Sequence, residues 1–420
     1  MDTCSVMLGC NSGAVTVIER ELGHPILKLQ CTHHVTDLHG DAFCDVISGR
    51  ESSAPYDYLF KKIFNHWDYL EIDLDNLCKF DWSQFDEGSW IFQKARESLS
   101  LMETLLDGGS MMFSRGDYYN LCLLTMVYLG GDTTKFQFPK PIRTSSARFM
   151  QLPTYYLAGE LLSNQIDKKK SGITDDEFDE IESMALFSAL FFTRWFLTCN
   201  IAANSPIHDL NMINDMRLFM ETLPNDHYNS QRIQSACDKC LKSMYRHSQY
   251  LSGELVPLAL ISDKVPKQEK MDMAEALARA MAEQDDSIFQ VPRKTVQFNV
   301  LDIWPNPAEK PSLAKFITKK SLLIFFLLDI LTPDNMNWLQ EDPDLWLTYP
   351  GYATFEKFVK NLEVVNDASE RSVKLAQDFL KTSKDESKLQ NNYLVVADVR
   401  NRLRDKRGTK ASFKRIPVGY

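Results

Sequence analysis

Two cysteine–histidine groupings and one acidic helix start are the places where residue type and spacing could do chemistry. Cys237 and Cys240 form a C-x2-C pair, with His247 seven residues on. That is the outline of half a zinc site or of a redox pair. On a single helix, however, Cys240 and His247 share a face while lying about 10 Å apart along the axis. Zinc holds its ligands at about 2 Å, so these two cannot share an ion. Cys237, Cys240, Met244, His247 and Leu251 recur instead at the spacing of a buried helical stripe. They read as core.

The second grouping is Cys31-Thr32-His33-His34, with His39 and Cys44 downstream. At about 100° per residue, His34, His39 and Cys44 leave one helix in three directions. A structural role at a strand-to-helix junction fits Cys31 and His34 better than a zinc site. The acidic start is Asn366-Asp367-Ala368-Ser369-Glu370-Arg371. Asp367 as N-cap with Glu370 at the third position makes a capping box. The chemical alternative is a carboxylate projecting from a helix start toward a metal ion. Asp2, beside Met1, carries no signal by itself.

The elements that must position these residues are mostly helical. A helix over Ala14–Leu22 ends at Gly23, and the apolar run Pro25–Cys31 reads as a strand leading into a helix from about His34 to Ile47. A single strand cannot stand alone, because its backbone groups need a sheet partner. Beyond it, Phe92–Leu106, Tyr118–Leu129, Phe149–Ser163, Asp175–Cys199, Asp209–Thr222, Ser230–Leu260 and Met271–Glu283 fit a 3.6-residue period. Thr295–Val300 alternates like a strand, and a last helix is expected from Asp367 to about Thr382.

Composition narrows the class. With 44% hydrophobic and 25% charged residues, the 420-residue chain is neither mainly disordered nor fibrous. Seventeen Gly and seventeen Pro are too few for an all-β protein of many tight turns. The nine Cys have no framework spacing and follow no signal peptide, which points to a reduced nuclear or cytoplasmic setting. The apolar run Leu322–Leu331 is too short for a membrane span, so no membrane is expected. Net charge is −10, but it is uneven. From Arg400 to Tyr420 eight basic residues face one acid, a tail of +7 on a body of −17. Arg400, Arg402, Arg404, Lys406, Arg407 and Lys410 are its candidate nucleic-acid contacts.

Taken in order, these features resemble transposases of the hAT superfamily, in particular transposon-derived proteins of invertebrate type. Asp2-Thr3 followed by Asn11-Ser12-Gly13 resembles the stretch with the family's second catalytic Asp. Leu27–Cys31 with His34 resembles its strand and C-x2-H motif. Phe43–Phe64, Ala147–Met150 and His247–Ala259 resemble parts of its helical insertion, and Val364–Arg371 its Ser-Glu-Arg signature. The resemblance spans nearly the whole chain in patches. Its most specific part is the ordered pair of C-x2-H and Ser-Glu-Arg.

The resemblance implies a mainly α protein whose two ends form an incomplete ribonuclease-H-like α/β core around a large helical insertion. The expected division is 1–50 partial core, 51–361 insertion, 362–399 C-terminal core helices and 400–420 basic tail. It makes Asp2 and Glu370 catalytic acids and metal ligands for Mg²⁺ or Mn²⁺, with Cys31, His34 and Arg371 as structural motif residues. The family cleaves and transfers DNA strands. Here the first catalytic Asp and the usual N-terminal zinc-binding domain have no counterpart. The expectation is therefore an N-terminally truncated, DNA-binding transposase remnant, inactive as it stands, with a homo-oligomer as a possible assembly. The alternative is a helical protein-interaction scaffold without nucleic-acid chemistry. The two readings differ in whether the neighbourhoods of Asp2 and Glu370 must meet.

Overall fold

The computed structural model describes residues 13–49, 57–109, 113, 115–134, 136–140, 151–224, 229–283, 286–291, 298–306 and 309–365. The described chain is mainly helical, and none of its residues lies in a β-strand. Its helices are α1 (Ala14–Leu22), α2 (Thr32–Ser48), α3 (Asp57–His66), α4 (Trp90–Asp107), α5 (Gly116–Tyr128), α6 (Gln151–Leu161) and α7 (Asp175–Phe187). These are followed by α8 (Thr193–Thr198), α9 (Ser205–Thr222), α10 (Ser230–His247), α11 (Lys267–Ala282), α12 (Leu323–Leu327) and α13 (Pro350–Lys360), with a single α-helical turn at Lys168–Ser171, a π turn at Ser188–Phe192 and short 3-10 turns between. No described helix is long and apolar enough to cross a membrane.

Local chemistry sets several boundaries. Ser89 caps α4 by accepting from the Phe92 N–H. Thr174 and Glu177 form a reciprocal capping box at the start of α7. The single helix expected over Asp175–Cys199 is continuous but contains a π turn at Ser188–Phe192, with the Ser188 hydroxyl donating to the Met184 carbonyl. The helix expected over Ser230–Leu260 stops at His247 instead. From Ser248 the chain takes 3-10 turns, and Pro257 has no N–H to offer a continuing helix. The Leu322–Leu331 run yields only α12, because Asp329 adopts a left-handed conformation at φ 57°.

One hydrophobic core runs from Phe43 to Val364. α2 packs along α10 and also against α7 and α8, so the C-x2-H helix is built into the helical body. Cys237, Cys240 and Met244 point inward and are fully buried, as the stripe reading requires. Burial pushes both thiols well above the ordinary cysteine range.

The strand expected at Pro25–Cys31 is extended backbone with no sheet around it. Its polar groups go elsewhere. The Ile26 N–H donates to the Glu19 carboxylate at 3.2 Å, and the Cys31 carbonyl accepts the first turn of α2 from Val35 at 3.1 Å. In the second expected strand, residues 295–297 lie outside the described residues. Asn299 caps a 3-10 turn at Val300–Asp302 by accepting from the Leu301 N–H.

Candidate functional site

The C-x2-H motif opens α2. Cys31 is its N-cap residue in extended conformation, 2% exposed, and Thr32 is the first helical residue. An α-helix leaves its first N–H groups without intrahelical partners. Here the Thr32 N–H finds the carbonyl of Val364 at 2.9 Å, and the Thr32 hydroxyl reaches the same carbonyl at 3.1 Å and that of Cys199 at 3.0 Å. Two distant stretches of chain close on one side chain.

The neighbours complete a buried polar junction. The Tyr250 hydroxyl donates to the Gln30 carbonyl at 2.5 Å, and the Tyr250 N–H donates to Asp209 at 3.2 Å. Burial holds the Asp209 carboxyl well above the usual carboxylate range. His33 stacks on Phe196 at 3.8 Å between ring centroids, and its Nε2 donates to the Phe196 carbonyl at 3.2 Å. His34 is half-buried and close enough to His247 to help lower the latter's pKa, after burial and Arg246. His39 is fully buried, with Nδ1 bonded to Ser243 at 3.1 Å, and burial followed by His247 and His208 lowers its pKa to about 3.

Cys31 and His34 thus stand where the sequence places them, at a junction into a helix. Asp2, Glu370, Arg371, Arg400, Arg402, Arg404, Lys406, Arg407 and Lys410 all lie outside the described residues. So does the helix expected from Asp367 to Thr382. What is brought together is the start of the C-x2-H helix and Val364, six residues before Glu370. Thr32, Asp209, Tyr250 and Val364 carried no sequence signal as junction residues. Much of their bonding runs through backbone groups, which leave no compositional trace.

Divalent metal needs ionised, converging oxygens. In the described part of the junction the one carboxyl is that of Asp209, which is buried and accepts from the Tyr250 N–H. Among the described residues, no three His, Cys, Asp or Glu side chains are grouped so as to hold an ion. The arrangement positions chain segments. Elsewhere an open groove of about 450 Å³ runs along α4, where Arg96 and Arg194 flank Glu97. Glu97 takes the Arg194 guanidinium at 2.8 Å, so the groove neutralises much of its own charge.

Comparison of the chain with models of known families, with curated proteins and with solved structures finds no match.

Proposed function

We propose that the chain is a hAT-like, transposon-derived protein that binds DNA through its basic C-terminal tail and does not itself cleave it. One observation supports this reading most. The C-x2-H helix is hydrogen-bonded through Thr32 to Val364, at the threshold of the Ser-Glu-Arg stretch 332 residues away in sequence. The family reading requires the two motifs to approach each other, whereas a helical scaffold has no need of it. In this reading Cys31, Thr32 and His34 form the joint on which the Glu370 stretch is mounted. The acids that match the family are Asp2 and Glu370, and they are the residues that would hold Mg²⁺ or Mn²⁺. Two-metal phosphodiester chemistry needs more carboxylates than a pair to place two ions about 4 Å apart.

The tail supplies affinity. A run of Arg and Lys offers its charges to phosphates, which carry no sequence information. Binding to duplex DNA should therefore be indifferent to sequence and steeply salt-dependent. The test is a salt titration of duplex binding by the full chain and by a variant with Arg400, Arg402, Arg404, Lys406, Arg407 and Lys410 all changed to Gln. A flatter slope in the variant is expected. Equal slopes, or no binding at low salt, would remove the DNA assignment. In parallel, Mn²⁺-dependent strand cleavage that disappears in Glu370→Gln would overturn the claim that the chain does not cut DNA.

A further inference from the structure

We infer that the outward apolar face of α1 is a docking surface for the chain's own segment 367–382. α1 turns Val15, Thr16 and Glu19 inward and leaves Val17, Ile18 and Leu22 46%, 47% and 53% exposed, with the exposed Glu21 between Val17 and Ile18 around the helix and Arg20 at the edge. Three large apolar side chains in a nine-residue helix is a high share to leave facing water, and a helix this short does not persist without tertiary support. Its present support is on the other side. Gly23, at φ 74°, reverses the chain, and the buried Glu19 carboxylate then accepts from the Ile26 N–H at 3.2 Å and pairs with Lys28 at 3.1 Å. α1 therefore lies beside the extended stretch that leads to Thr32, and Ile26, Leu27 and Leu29 on that stretch are themselves only half-buried.

The occupant follows from where the described chain ends. Val364 is fixed to Thr32, only four residues beyond Lys28, or roughly 13 Å of extended backbone. The described chain thus ends, at Val365, beside the residue that this stretch leads to. In the sequence beyond Val365, Ala368, Ser372, Leu375, Ala376 and Phe379 recur at the spacing of one helical face, while Arg371, Lys374, Asp378 and Lys381 fall between them. Sixteen residues in a helix would span about 24 Å, against about 14 Å for α1. Three side chains on α1 make too small a patch for a stable dimer, which takes about 800 Å² from each partner. A segment tethered a few residues away needs far less, because its effective concentration is in the millimolar range. This inference does not depend on the transposase reading, and the DNA experiments above leave it untouched.

The test is photo-crosslinking in the full chain, with benzoylphenylalanine at Leu22, mapping of linked peptides by mass spectrometry, and the same probe at Tyr69, which is 80% exposed, as a control. The expected result is linkage within one chain from position 22 to residues 367–382, at least fivefold weaker in a Leu375→Asp, Phe379→Asp variant, and absent from position 69. Linkage between two chains would assign the face to a second copy and overturn the proposal. So would linkage to any other segment, or none. If the double variant does not fold, the map from the unsubstituted segment decides alone.

Discussion

The backbone N–H of Thr32 donates to the carbonyl of Val364 at 2.9 Å, and the Thr32 hydroxyl shares that carbonyl at 3.1 Å while also reaching Cys199. A helix N-terminus that would otherwise leave a donor unpaired is closed by chain 332 residues away. Replacing Thr32 by Val keeps the shape and the N–H bond but removes the hydroxyl donor. A loss of about 1–2 kcal/mol in urea unfolding is expected, with faster amide exchange at Thr32, while Thr32→Ser stays close to the parent. An unchanged Val variant would show that the hydroxyl contributes nothing to closure.

Glu160 gives the fold a titration between acid and neutral pH. Burial raises its carboxyl to about 7, and the Cys78 thiol donates to it at 3.2 Å. Unfolding returns the group to an ordinary value near 4.5. Between those values the folded chain keeps a proton that the unfolded chain releases, so stability falls as pH rises from about 4.5 to about 7 and then levels off. The full effect is about 3 kcal/mol. Glu160→Gln should remove this slope and be most stabilising, relative to the parent, at pH 7 and above. Parallel pH–stability curves for the two proteins would refute the assignment.

His39 acts in the opposite sense. Held neutral down to about pH 3 when folded, against 6.5 when free, it makes the unfolded chain bind the extra proton below pH 6.5. Stability contributed by the neutral ring is intact above 6.5 and drains as pH falls toward 3, in the same direction as His208, which burial lowers to about 4. His39→Asn can still meet Ser243 and does not titrate. Its thermal midpoint should fall less than the parent's between pH 6.5 and 4.5. An equal fall would mean that His39 already carries its proton in the folded chain.

Gly351 begins α13 where the chain crosses Asn335 closely. A Cβ built there would lie 1.9 Å from the Asn335 carbonyl oxygen and 2.7 Å from its carbon, both backbone atoms that no rotamer change can move. The helix-propensity gain of Gly→Ala, about 1 kcal/mol, is outweighed. Gly351→Ala should destabilise by roughly 2–4 kcal/mol in denaturant unfolding. Gly88→Ala, with nothing within 4 Å of its added carbon, should lie within about 0.5 kcal/mol of the parent. Equal stability of the two variants would contradict the close crossing.

The sequence by itself determined the helices. Phe92–Leu106, Tyr118–Leu129 and Asp209–Thr222 stand as α4, α5 and α9 with ends moved by a few residues; α4 does so on the local spacing of its apolar stripe, whereas α5 and α9 are buried on more than one side. It also determined that Cys237 and Cys240 are core, since axial rise alone separates Cys240 from His247. Tertiary structure decided what spacing cannot encode. Whether Pro25–Cys31 becomes a strand depends on a partner; its Ile26 N–H goes instead to Glu19, and its Cys31 carbonyl accepts from Val35 in the first turn of a helix. Whether the helix from Ser230 continues past His247 depends on Tyr250 turning inward to Asp209 and Gln30. Most of all, the meeting of Thr32 with Val364 joins a backbone donor to a backbone acceptor. Every residue but proline carries that donor and every residue that acceptor, so only the packed fold selects this pair.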